Sequence, residues 1–365
     1  MKPDAPIEHL QASAYRIATD APEADGTLEW RATTLIVVHA TGGGRTGVGY
    51  SYGDAAAAAI VQRVLHDALH GCDALAVGAA WDRMRRAVRN IGRQGVVACA
   101  ISAVDVALWD LKAKLLEVPL CVLLGMRTPR VPLYGSGGFT SYAIERLRSQ
   151  LAHWAGAGFK RVKMKVGAQP DADLARVGAA RDAIGDAVQL FVDANGAYGR
   201  KQALHFAQAF ADLDVRWFEE PVSSDDRDGL RLLRDRAPPG MDIAAGEYGW
   251  DEFHFRDLLQ AGAVDVLQAD ATRCGGISGL LLASALADAQ HTPLSTHCAP
   301  SLHLHVGCAL PRLAHLEWFH DHQRIERLLF DGFVEPLDGE LAPDLSRPGI
   351  GLVFKARDAR QFEVN

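Results

Sequence analysis

The chain has 365 residues, of which 48% are hydrophobic and 23% charged, and its formal net charge is −7. This length exceeds one typical domain and fits a large α/β barrel with a smaller second domain. The negative charge and the lack of a long basic run exclude a general affinity for nucleic acid.

The sequence also bears on where the protein works. Residues 1–10 lack the apolar stretch of a secretory signal, and no apolar segment approaches the roughly 20 residues that cross a bilayer. The cysteines form no CxxC pair and stand at Cys72, Cys99, Cys121, Cys274, Cys298 and Cys308. We therefore expect buried thiols in a reducing compartment, and a cytoplasmic protein that binds neither membrane nor nucleic acid.

The first part of the chain predicts a small α+β unit. Residues 33–39 are β-branched and apolar, a glycine run breaks them, and residues 47–52 resume an extended pattern, which predicts a hairpin or meander. The alanine-rich residues 54–90 have helical spacing. A stronger helix is predicted over residues 97–116, and Pro119 ends it.

From residue 131 onward, short apolar runs alternate with amphipathic stretches. The runs are VPLYGS, RVKMKVG, QLFVDANG, RWFEEP, DIAAGE, VDVLQAD, TPLSTH and HLEWF, and the stretches include 171–186, 201–213, 251–261 and 276–290. Strands alternating with helices predict βαβ units and a parallel sheet. About eight units in roughly 215 residues favour a (β/α)₈ barrel over an open doubly wound sheet. No glycine-rich phosphate-binding motif follows a run, which weakens a nucleotide-binding interpretation.

Ionisable residues stand at the carboxyl ends of the predicted strands. Starting from Lys165, the successive intervals are 28, 26, 28, 23, 27 and 20 residues, each about one βα unit. The residues are Lys163 and Lys165, Asp193, Glu219, Glu247, Asp270, His297 and Glu317. Because the carboxyl ends of barrel strands meet at one face, where active sites form, the sequence predicts one ring of these side chains.

Three acids of this ring are candidates for a metal site. Asp193, Glu219 and Glu247 lie on three consecutive predicted strands, so their carboxylates converge. Their pKa values would rise unless a cation binds among them, and oxygen-only ligation favours Mg²⁺ over Zn²⁺. Each acid alone could be an ordinary salt-bridging carboxylate, but three in consecutive units make that interpretation poor.

The same ring contains candidate bases. Lys163 and Lys165 share a strand face, so side by side and near a dication each should depress the pKa of the other, and a general base requires a neutral lysine. The alternative for such a pair is a solvated strand end. His297 follows Asp270 by one barrel unit, and an aspartate that orients a histidine fixes its tautomer. A lone histidine is more often structural.

Glu317 ends the eighth predicted strand. If it stays protonated, it can donate a hydrogen bond to a developing enolate oxygen. The alternative is a carboxylate paired with Arg312 or Arg324.

Seven segments together carry a family resemblance. VKMKVG, FVDANG, WFEEPV, AAGE, LQADATRCGGISG and LSTH, in this order and spacing and with the helix SAVDVALWDLKAK, resemble the enolase superfamily and specifically its mandelate racemase subgroup. The resemblance covers nearly the whole chain. It implies an α/β fold, a (β/α)₈-type TIM barrel with an α+β N-terminal capping domain. The implied divisions are residues 1–128 for the capping domain, 129–345 for the barrel, and 346–365 for a segment returning to the capping domain.

The resemblance also implies roles for the ring. Lys165 would be one acid/base catalyst and the His297–Asp270 dyad the other. Lys163 would neutralise the substrate carboxylate, and Glu317 would be the electrophilic donor to it. The implied cofactor is Mg²⁺, held by Asp193, Glu219 and Glu247.

Further polar residues are predicted around the ring. Asn195 matches a substrate-contacting asparagine of the subgroup, and Glu220 is predicted to point outward, as a supporting or salt-bridge residue. Ser136 belongs to a first-strand segment that brings donors to the substrate. Arg273 could bind a distal carboxylate, a hydroxyl or a neighbouring loop. A structural role is predicted for His303, His305, His320 and His322.

Specificity is predicted to lie in two loops of the capping domain. These are residues 17–27 and 49–54, and in the second Tyr50 and Tyr52 could close over a ligand. The alternative is that both are surface turns whose tyrosines only pack.

The implied activity is Mg²⁺-dependent abstraction of the α-proton of a hydroxycarboxylate through an enediolate. We expect dehydration of an acid sugar to a 2-keto-3-deoxy acid, with racemisation, epimerisation or cycloisomerisation as the alternative. A muconate-type cycloisomerase uses lysines on strands two and six, and Asp270 at the sixth position argues against it. A more distant alternative is an inactive barrel that serves as a binding protein. The expected partners are a small carboxylate substrate and further copies of this chain, from dimer to octamer.

Overall fold

The computed structural model describes residues 5–364. The chain opens with three long antiparallel strands, and its last strand joins their sheet in the order β15-β1-β2-β3. The strands are β1 (Ile7–Ala24), β2 (Glu29–Gly42), β3 (Arg45–Tyr52) and β15 (Glu363–Val364). The predicted hairpin is β2–β3 and is confirmed. The C-terminal segment returns to this sheet, because β15 pairs with β1 at Ala14 and Tyr15. The exact domain divisions stay a prediction.

The expected loop over residues 17–27 is wrong for most of its length, because β1 runs on to Ala24. Small residues such as Ala12 and Ala14 weaken the apolar alternation of this strand, and a register shift between Ala18 and Glu23 interrupts it. Only the tip is a turn. There Asp25 Oδ1 accepts hydrogen bonds from the backbone N–H groups of Thr27 (2.6 Å) and Leu28 (2.7 Å).

Helices pack on one face of this sheet. They are α1 (Ala56–Ile60), continuing through a π-helical turn (Val61–Leu65) into α2 (His66–Leu69), then α3 (Val77–Ala87) and α4 (Val96–Leu115). The short α5 (Leu120–Leu123) follows and packs against α4 and the barrel side of the core. The predicted helix over 97–116 is α4, and it lies directly on β3. A Cβ at Gly47 would stand 2.1 Å from the Ala107 carbonyl oxygen, and one at Gly49 would stand 2.2 Å from that of Ala103. Glycine at these positions therefore allows the helix to approach the strand backbone.

The remainder of the chain is a closed barrel of eight parallel strands. In chain order they are β4 (Val131–Gly137), β5 (Arg161–Lys165), β6 (Gln189–Asp193), β7 (Val215–Glu219), β8 (Asp242–Ala245), β9 (Val266–Ala269), β10 (Leu294–Thr296) and β11 (Leu313–Phe319). Each of the eight predicted runs overlaps one of them. Because β11 also pairs with β4, the sheet closes, which excludes the open doubly wound alternative.

Helices follow the barrel strands and form the outer layer. They are α6 (Ile144–Gly156), α7 (Pro170–Ile184), α8 (Arg200–Ala211), α9 (Arg227–Arg236), α10 (Glu252–Gln260), α11 (Gly276–Ala289), α12 (Pro300–Gly307) and α13 (His320–Leu329). Short elements complete the fold, namely β12 (Phe330–Asp331), β13 (Glu340–Leu341), β14 (Val353–Phe354), α14 (Ala356–Ala359) and a 3₁₀ turn (Arg360–Phe362). Within residues 5–364, no helix combines the length and apolarity needed to span a bilayer.

Aromatic side chains fill the barrel interior. Phe191 and Trp217 stack with ring centroids 5.1 Å apart, and Tyr134 and His315 pack against them. The barrel is therefore a packed core rather than a pore, and only its carboxyl end is left for a site.

Candidate active site

The ring of ionisable side chains predicted from the sequence comes together at the carboxyl end of the barrel. Lys165, Asp193 and Glu219 stand side by side, because they are in register on adjacent strands. Each of the eight side chains is at most 6% exposed. Charged groups are almost never buried unless they are paired, and contacts among these residues provide the pairing.

Two ammonium groups lie among the acids. Lys163 Nζ is 2.7 Å from Glu219 Oε1, 2.9 Å from Glu317 Oε1 and 3.7 Å from Asp193 Oδ2. Lys165 Nζ contacts Asp193 Oδ2. The solvated strand end, the alternative for this lysine pair, is therefore excluded, since both side chains are buried.

These contacts set the protonation of the lysines. Burial disfavours the Lys163 ammonium, but the carboxylates of Glu219 and Glu317 outweigh burial and raise its pKa well above the usual range. Burial likewise opposes the charge on Lys165, and Asp193 raises its pKa. Among the protein's own groups the acids therefore raise both pKa values, and the depression expected beside a dication stays a prediction.

Asp193, Glu219 and Glu247 form a group whose ligand oxygens all lie within 4.8 Å of one another. With Glu317 they bring four carboxylates against two ammonium groups, so negative charge is in excess. Burial and the neighbouring Asp193 raise the pKa of Glu219 to about 8, as expected for crowded acids. Glu247 Oε2 has no hydrogen-bond partner among the described residues. An all-oxygen set with a free ligand atom fits Mg²⁺.

His297 and Asp270 form the predicted dyad. Their Nδ1 and Oδ2 atoms are 2.8 Å apart, and since a carboxylate only accepts, Nδ1 must donate. The other oxygen of Asp270 accepts from the Thr272 N–H at 2.7 Å, which fixes the carboxylate. Burial disfavours the imidazolium of His297, but the Glu247 carboxylate and the bond to Asp270 raise its pKa above the usual value. The Nε2 atom, 3.4 Å from Glu247 Oε2, is then the atom that can take and return a proton.

Glu317 is held from two sides. Burial would raise its pKa, but Lys163 outweighs burial and holds the pKa well below its usual range. Its Oε2 accepts from the Cys298 N–H at 2.7 Å, and its role as a hydrogen-bond donor to the substrate stays a prediction. The alternative pairing is wrong, because Arg312 pairs with Asp288 and Arg324 with Asp321.

Two further candidates present polar atoms without partners. Asn195 stands just beyond the end of β6 with φ +46°, its backbone N–H donates to Asp193 Oδ1 at 2.8 Å, and its own Oδ1 is buried and free of hydrogen bonds. Ser136 lies beside Lys163 in register, and its buried hydroxyl has no partner among the described residues. Buried polar atoms are normally satisfied, so these two are positioned for a ligand.

The other proposed ligand contacts are directed elsewhere. Tyr50 donates to Glu326 Oε1 at 2.8 Å, and Tyr52 stacks on His322 at a centroid distance of 3.5 Å. Both tyrosines are buried, so the packing alternative describes them better than closure over a ligand. Arg273 lies 3.5 Å from Glu247 Oε1 and 3.8 Å from Asp270 Oδ2, which places it at the edge of the ring.

Glu220 is not outward-facing, and the described residues contain no salt bridge to it. It is 1% exposed, its Oε1 lacks a partner, and burial together with Glu247 raises its pKa well above the usual value. Strand β7 ends at Glu219, and Glu220 takes a φ of +36°. The alternation of strand faces therefore no longer applies to it.

Sequence reasoning missed the wall of the barrel mouth. Phe139, Tyr142, Cys298 and Phe319 form an apolar cluster against which Trp30 of β2 packs. Cys298 Sγ is 3.3 Å from His297 Nε2, so this cluster borders the dyad. The only sequence signal is that Cys298 directly follows the histidine.

A second missed residue is Glu23, which yields a test of stability. Its side chain is fully buried, Oε2 accepts from Trp30 Nε1 at 2.8 Å, and burial together with Asp321 raises its pKa to about 8. A raised carboxyl pKa means that the folded state favours the neutral form, so stability is lost as pH rises from about 4.5 through 8. We expect Glu23→Gln, neutral throughout, to gain up to roughly 5 kcal/mol over wild type above pH 8 and nothing at pH 4.

Thermal unfolding of both proteins between pH 5 and 9 measures this difference. Glu8→Gln is the matched control, because Glu8 lies on the same strand and is exposed. A melting-temperature difference between Glu23→Gln and wild type that does not grow with pH would contradict a neutral Glu23.

A barrel whose carboxyl end gathers an acid triad, a lysine pair and a histidine–aspartate dyad under an N-terminal cap defines the class to which the protein belongs. Residues 146–359 match the family model "Enolase C-terminal domain-like", and residues 15–125 match "Mandelate racemase / muconate lactonizing enzyme, N-terminal domain". The chain therefore belongs to the mandelate racemase/muconate lactonizing enzyme family of the enolase superfamily. Its members among the curated proteins include dehydratases and cycloisomerases.

Two curated relatives match over most of their length. A 3,6-anhydro-α-L-galactonate cycloisomerase of Streptomyces coelicolor is 33% identical over 95% of this chain and 97% of its own. An arabinonate dehydratase of Saccharolobus solfataricus is 33% identical over 81% of this chain and 80% of its own.

Solved structures agree with this assignment. A mandelate racemase/muconate lactonizing enzyme-like protein from Rubrobacter xylanophilus is 55% identical, covers 98% of this chain and 100% of its own, and superposes with a TM-score of 0.96. An L-talarate dehydratase from Polaromonas, in complex with magnesium and L-glucarate, is 30% identical over 99% of this chain and 98% of its own, with a TM-score of 0.89.

Proposed function

We propose that this enzyme is magnesium-dependent, removes the α-proton of a hydroxycarboxylate through an enediolate, and thereby dehydrates an acid sugar to a 2-keto-3-deoxy acid. The observation that carries the proposal is the placement of two bases around one acid triad. Lys165 lies on β5 and His297 follows β10, with the triad on the strands between them. A substrate held at the triad is within reach of one base from each side.

The α-proton of a carboxylate anion is very weakly acidic, because its removal adds a second charge to the same group. When bound by Asp193, Glu219 and Glu247, Mg²⁺ supplies the electrostatic stabilisation of that charge. Lys163 lies inside the ring, and its ammonium group is placed to stabilise negative charge in the same region. Asn195 and Ser136 offer their free buried polar atoms for the substrate's oxygens.

Proton transfer is assigned to the two bases. Lys165 removes or returns a proton at the α-carbon on its own side. Because the Asp193 carboxylate raises the pKa of Lys165, action as a base requires that Mg²⁺ bound by Asp193 offset this charge. His297 accepts a proton at Nε2 on the other side, where Asp270 fixes the tautomer and supports the imidazolium. If the substrate carries a hydroxyl at carbon 3, His297 donates a proton to it and water leaves. If it carries none, reprotonation from the opposite side inverts the α-carbon.

Two relatives favour different outcomes for the intermediate. The arabinonate dehydratase favours loss of water, whereas the galactonate-derived cycloisomerase, which matches more of this chain, favours rearrangement. Dehydration remains the first proposal, because the lysine–histidine base pattern provides an acid for the leaving hydroxyl. Cycloisomerisation or racemisation on a 2-hydroxy acid is the second candidate.

The test is a screen with Mg²⁺ of arabinonate, L-rhamnonate, L-talarate, galactarate and 3,6-anhydro-L-galactonate, with a carbonyl reagent to detect 2-keto-3-deoxy acids. Lys165→Met, assayed in parallel, controls for contaminating activity. Carbonyl formation from one of the four open-chain acids that depends on Lys165 supports dehydration. The same signal from 3,6-anhydro-L-galactonate alone supports cycloisomerisation, because its ring opens at carbon 3 without loss of water. If no carbonyl product forms but the enzyme exchanges the α-proton of 2-hydroxy acids in D₂O, the second candidate is favoured. The absence of both carbonyl formation and α-proton exchange would contradict the proposal and favour a binding protein.

A further inference from the structure

We propose that the capping domain sets the reactivity of His297, because a group of its side chains, here called the clamp, holds one barrel loop by hydrogen bonds. The reactivity of Lys165 depends instead on the barrel itself. The loop is residues 270–275, between β9 and α11. The clamp consists of Ser51, Trp81, Ser102 and Asp105. This inference rests on the proposed function, because it concerns the two bases named there.

Backbone groups of the loop are held by buried side chains of the capping domain. Ser51 Oγ donates to the Thr272 carbonyl at 2.6 Å, and Trp81 Nε1 donates to the Gly275 carbonyl at 2.7 Å. Ser102 Oγ accepts from the N–H groups of Gly275 and Gly276, at 2.9 and 3.1 Å. The loop therefore has three hydrogen bonds to a different domain, and the first residue of α11 has a fourth.

The same contacts complete the start of α11. The first N–H groups of a helix have no partner within it, and Gly275, just before the helix, has no side chain to cap them. Ser102 satisfies one of these groups, and Asp105 accepts from both the N–H (2.9 Å) and the hydroxyl (2.6 Å) of Ser278. The cap of this helix is thus supplied by helix α4.

The glycine end of the loop has little intrinsic preference for its shape, whereas at its start the Asp270 carbonyl accepts from the N–H groups of Arg273 and Cys274, at 2.9 and 2.8 Å. Gly275 and Gly276 have φ values of +88° and +82°, and a Cβ at Gly276 would lie 2.3 Å from Asp105 Oδ2. Glycine has the most backbone freedom to lose, so consecutive glycines need outside contacts to hold one conformation. On the barrel side, one further bond, from the Ala271 N–H to His303 Nε2 at 2.9 Å, fixes the start of the loop.

Thr272 links the clamp to the dyad. Its carbonyl accepts from Ser51, and its N–H donates to the Asp270 carboxylate that orients His297. A shift of this residue would therefore move Asp270 and rotate the imidazole. Displacements of about 1 Å at a catalytic group can cost about 100-fold in rate. Ser102 is a positioning residue in this scheme, because it acts through the loop.

The lysine side is held differently. Lys163 and Lys165 lie within β5, where backbone pairing with β4 and β6 fixes them. The capping domain touches this side through another element, the tip of the β1–β2 hairpin. A Cβ at Gly26 would lie 2.7 Å from the Val166 carbonyl oxygen and 2.3 Å from that of Ala194. Gly26→Ala therefore provides a matched perturbation of the cap on the opposite side.

The experiment compares two rates on the same enzyme sample, α-deuterium incorporation and elimination, with the acid sugar that wild type turns over fastest in the screen. Their ratio does not depend on how much protein is folded. His297→Asn calibrates the direction in which loss of the histidine moves the ratio. We expect Ser102→Ala and Trp81→Phe to move it the same way by about 10- to 100-fold. Gly26→Ala should leave the ratio within about twofold or move it the other way. An unchanged ratio in both clamp variants would overturn the proposal.

A readout independent of turnover separates this proposal from the proposed function. The Nδ1 proton of His297, hydrogen-bonded to Asp270, should give a low-field proton resonance that His297→Asn removes. We expect Ser102→Ala to broaden or shift that resonance and Gly26→Ala to preserve it. If wild type turns over nothing while the resonance responds in this way, the proposed function fails and the clamp stands. An unaltered resonance in Ser102→Ala would contradict the clamp.

Discussion

Replacing His297 by asparagine is expected to lower acid-sugar dehydration by about 10²- to 10⁴-fold, while α-deuterium incorporation from D₂O continues. Asparagine keeps a donor near Asp270 but cannot take or return a proton. Lys165 stands on another strand with its own contacts to Asp193, so its exchange does not depend on the imidazole. Proton NMR of the recovered substrate measures exchange, and the carbonyl assay measures elimination.

The matched control is His153→Asn, since this histidine is exposed on α6. It should leave both rates unchanged. Loss of exchange together with elimination in His297→Asn would contradict two independent bases. Unchanged elimination would remove His297 from the mechanism.

Removing one acid of the triad should abolish both activity and the response to magnesium. A cation that binds only the folded state stabilises it by about 2.7 kcal/mol at 100 times its dissociation constant, so saturating Mg²⁺ should raise the melting temperature of wild type by several degrees. In Asp193→Asn, the triad loses a charged ligand while the side-chain volume is kept. We expect that variant to show no magnesium-dependent shift and at least about 10³-fold lower turnover.

Thermal unfolding with EDTA and then with increasing Mg²⁺ gives the first quantity, and the carbonyl assay gives the second. Asp182→Asn is the control, because the Asp182 side chain lies on α7, is 75% exposed and does not belong to the acid triad. A full magnesium response in Asp193→Asn would place the metal elsewhere. A normal response without turnover in wild type would instead leave the metal site intact and question the substrate.

The amino-acid sequence by itself determined the barrel and the members of its ring. Apolar runs recur about every 25 residues, and each ends in a polar or charged side chain, so that the closed topology alone brings Lys165, Asp193 and His297 to one face. Such a prediction needs only the length of a βα unit and the rule that parallel strands end on one side. The sequence does not predict the first strand, β1, because its alanines are too small to show clearly the alternation of apolar and polar side chains on which strand prediction depends.

Tertiary structure alone decided what each ring member contacts and in which charge state it stands. The sequence predicts that the lysine pair beside a dication has lowered pKa values, but it does not show that acids at the ends of β6, β7 and β11 contact the pair and raise these values. Glu220 lies just beyond the end of β7, where the backbone turns, so it does not follow the alternation of the strand. The sequence could not show that Tyr50 donates to Glu326 rather than to a ligand. The hydrogen bond from the Gly275 N–H to Ser102 Oγ spans 173 positions of chain. Contacts of this kind depend on how two domains dock, and no local pattern of residues encodes them.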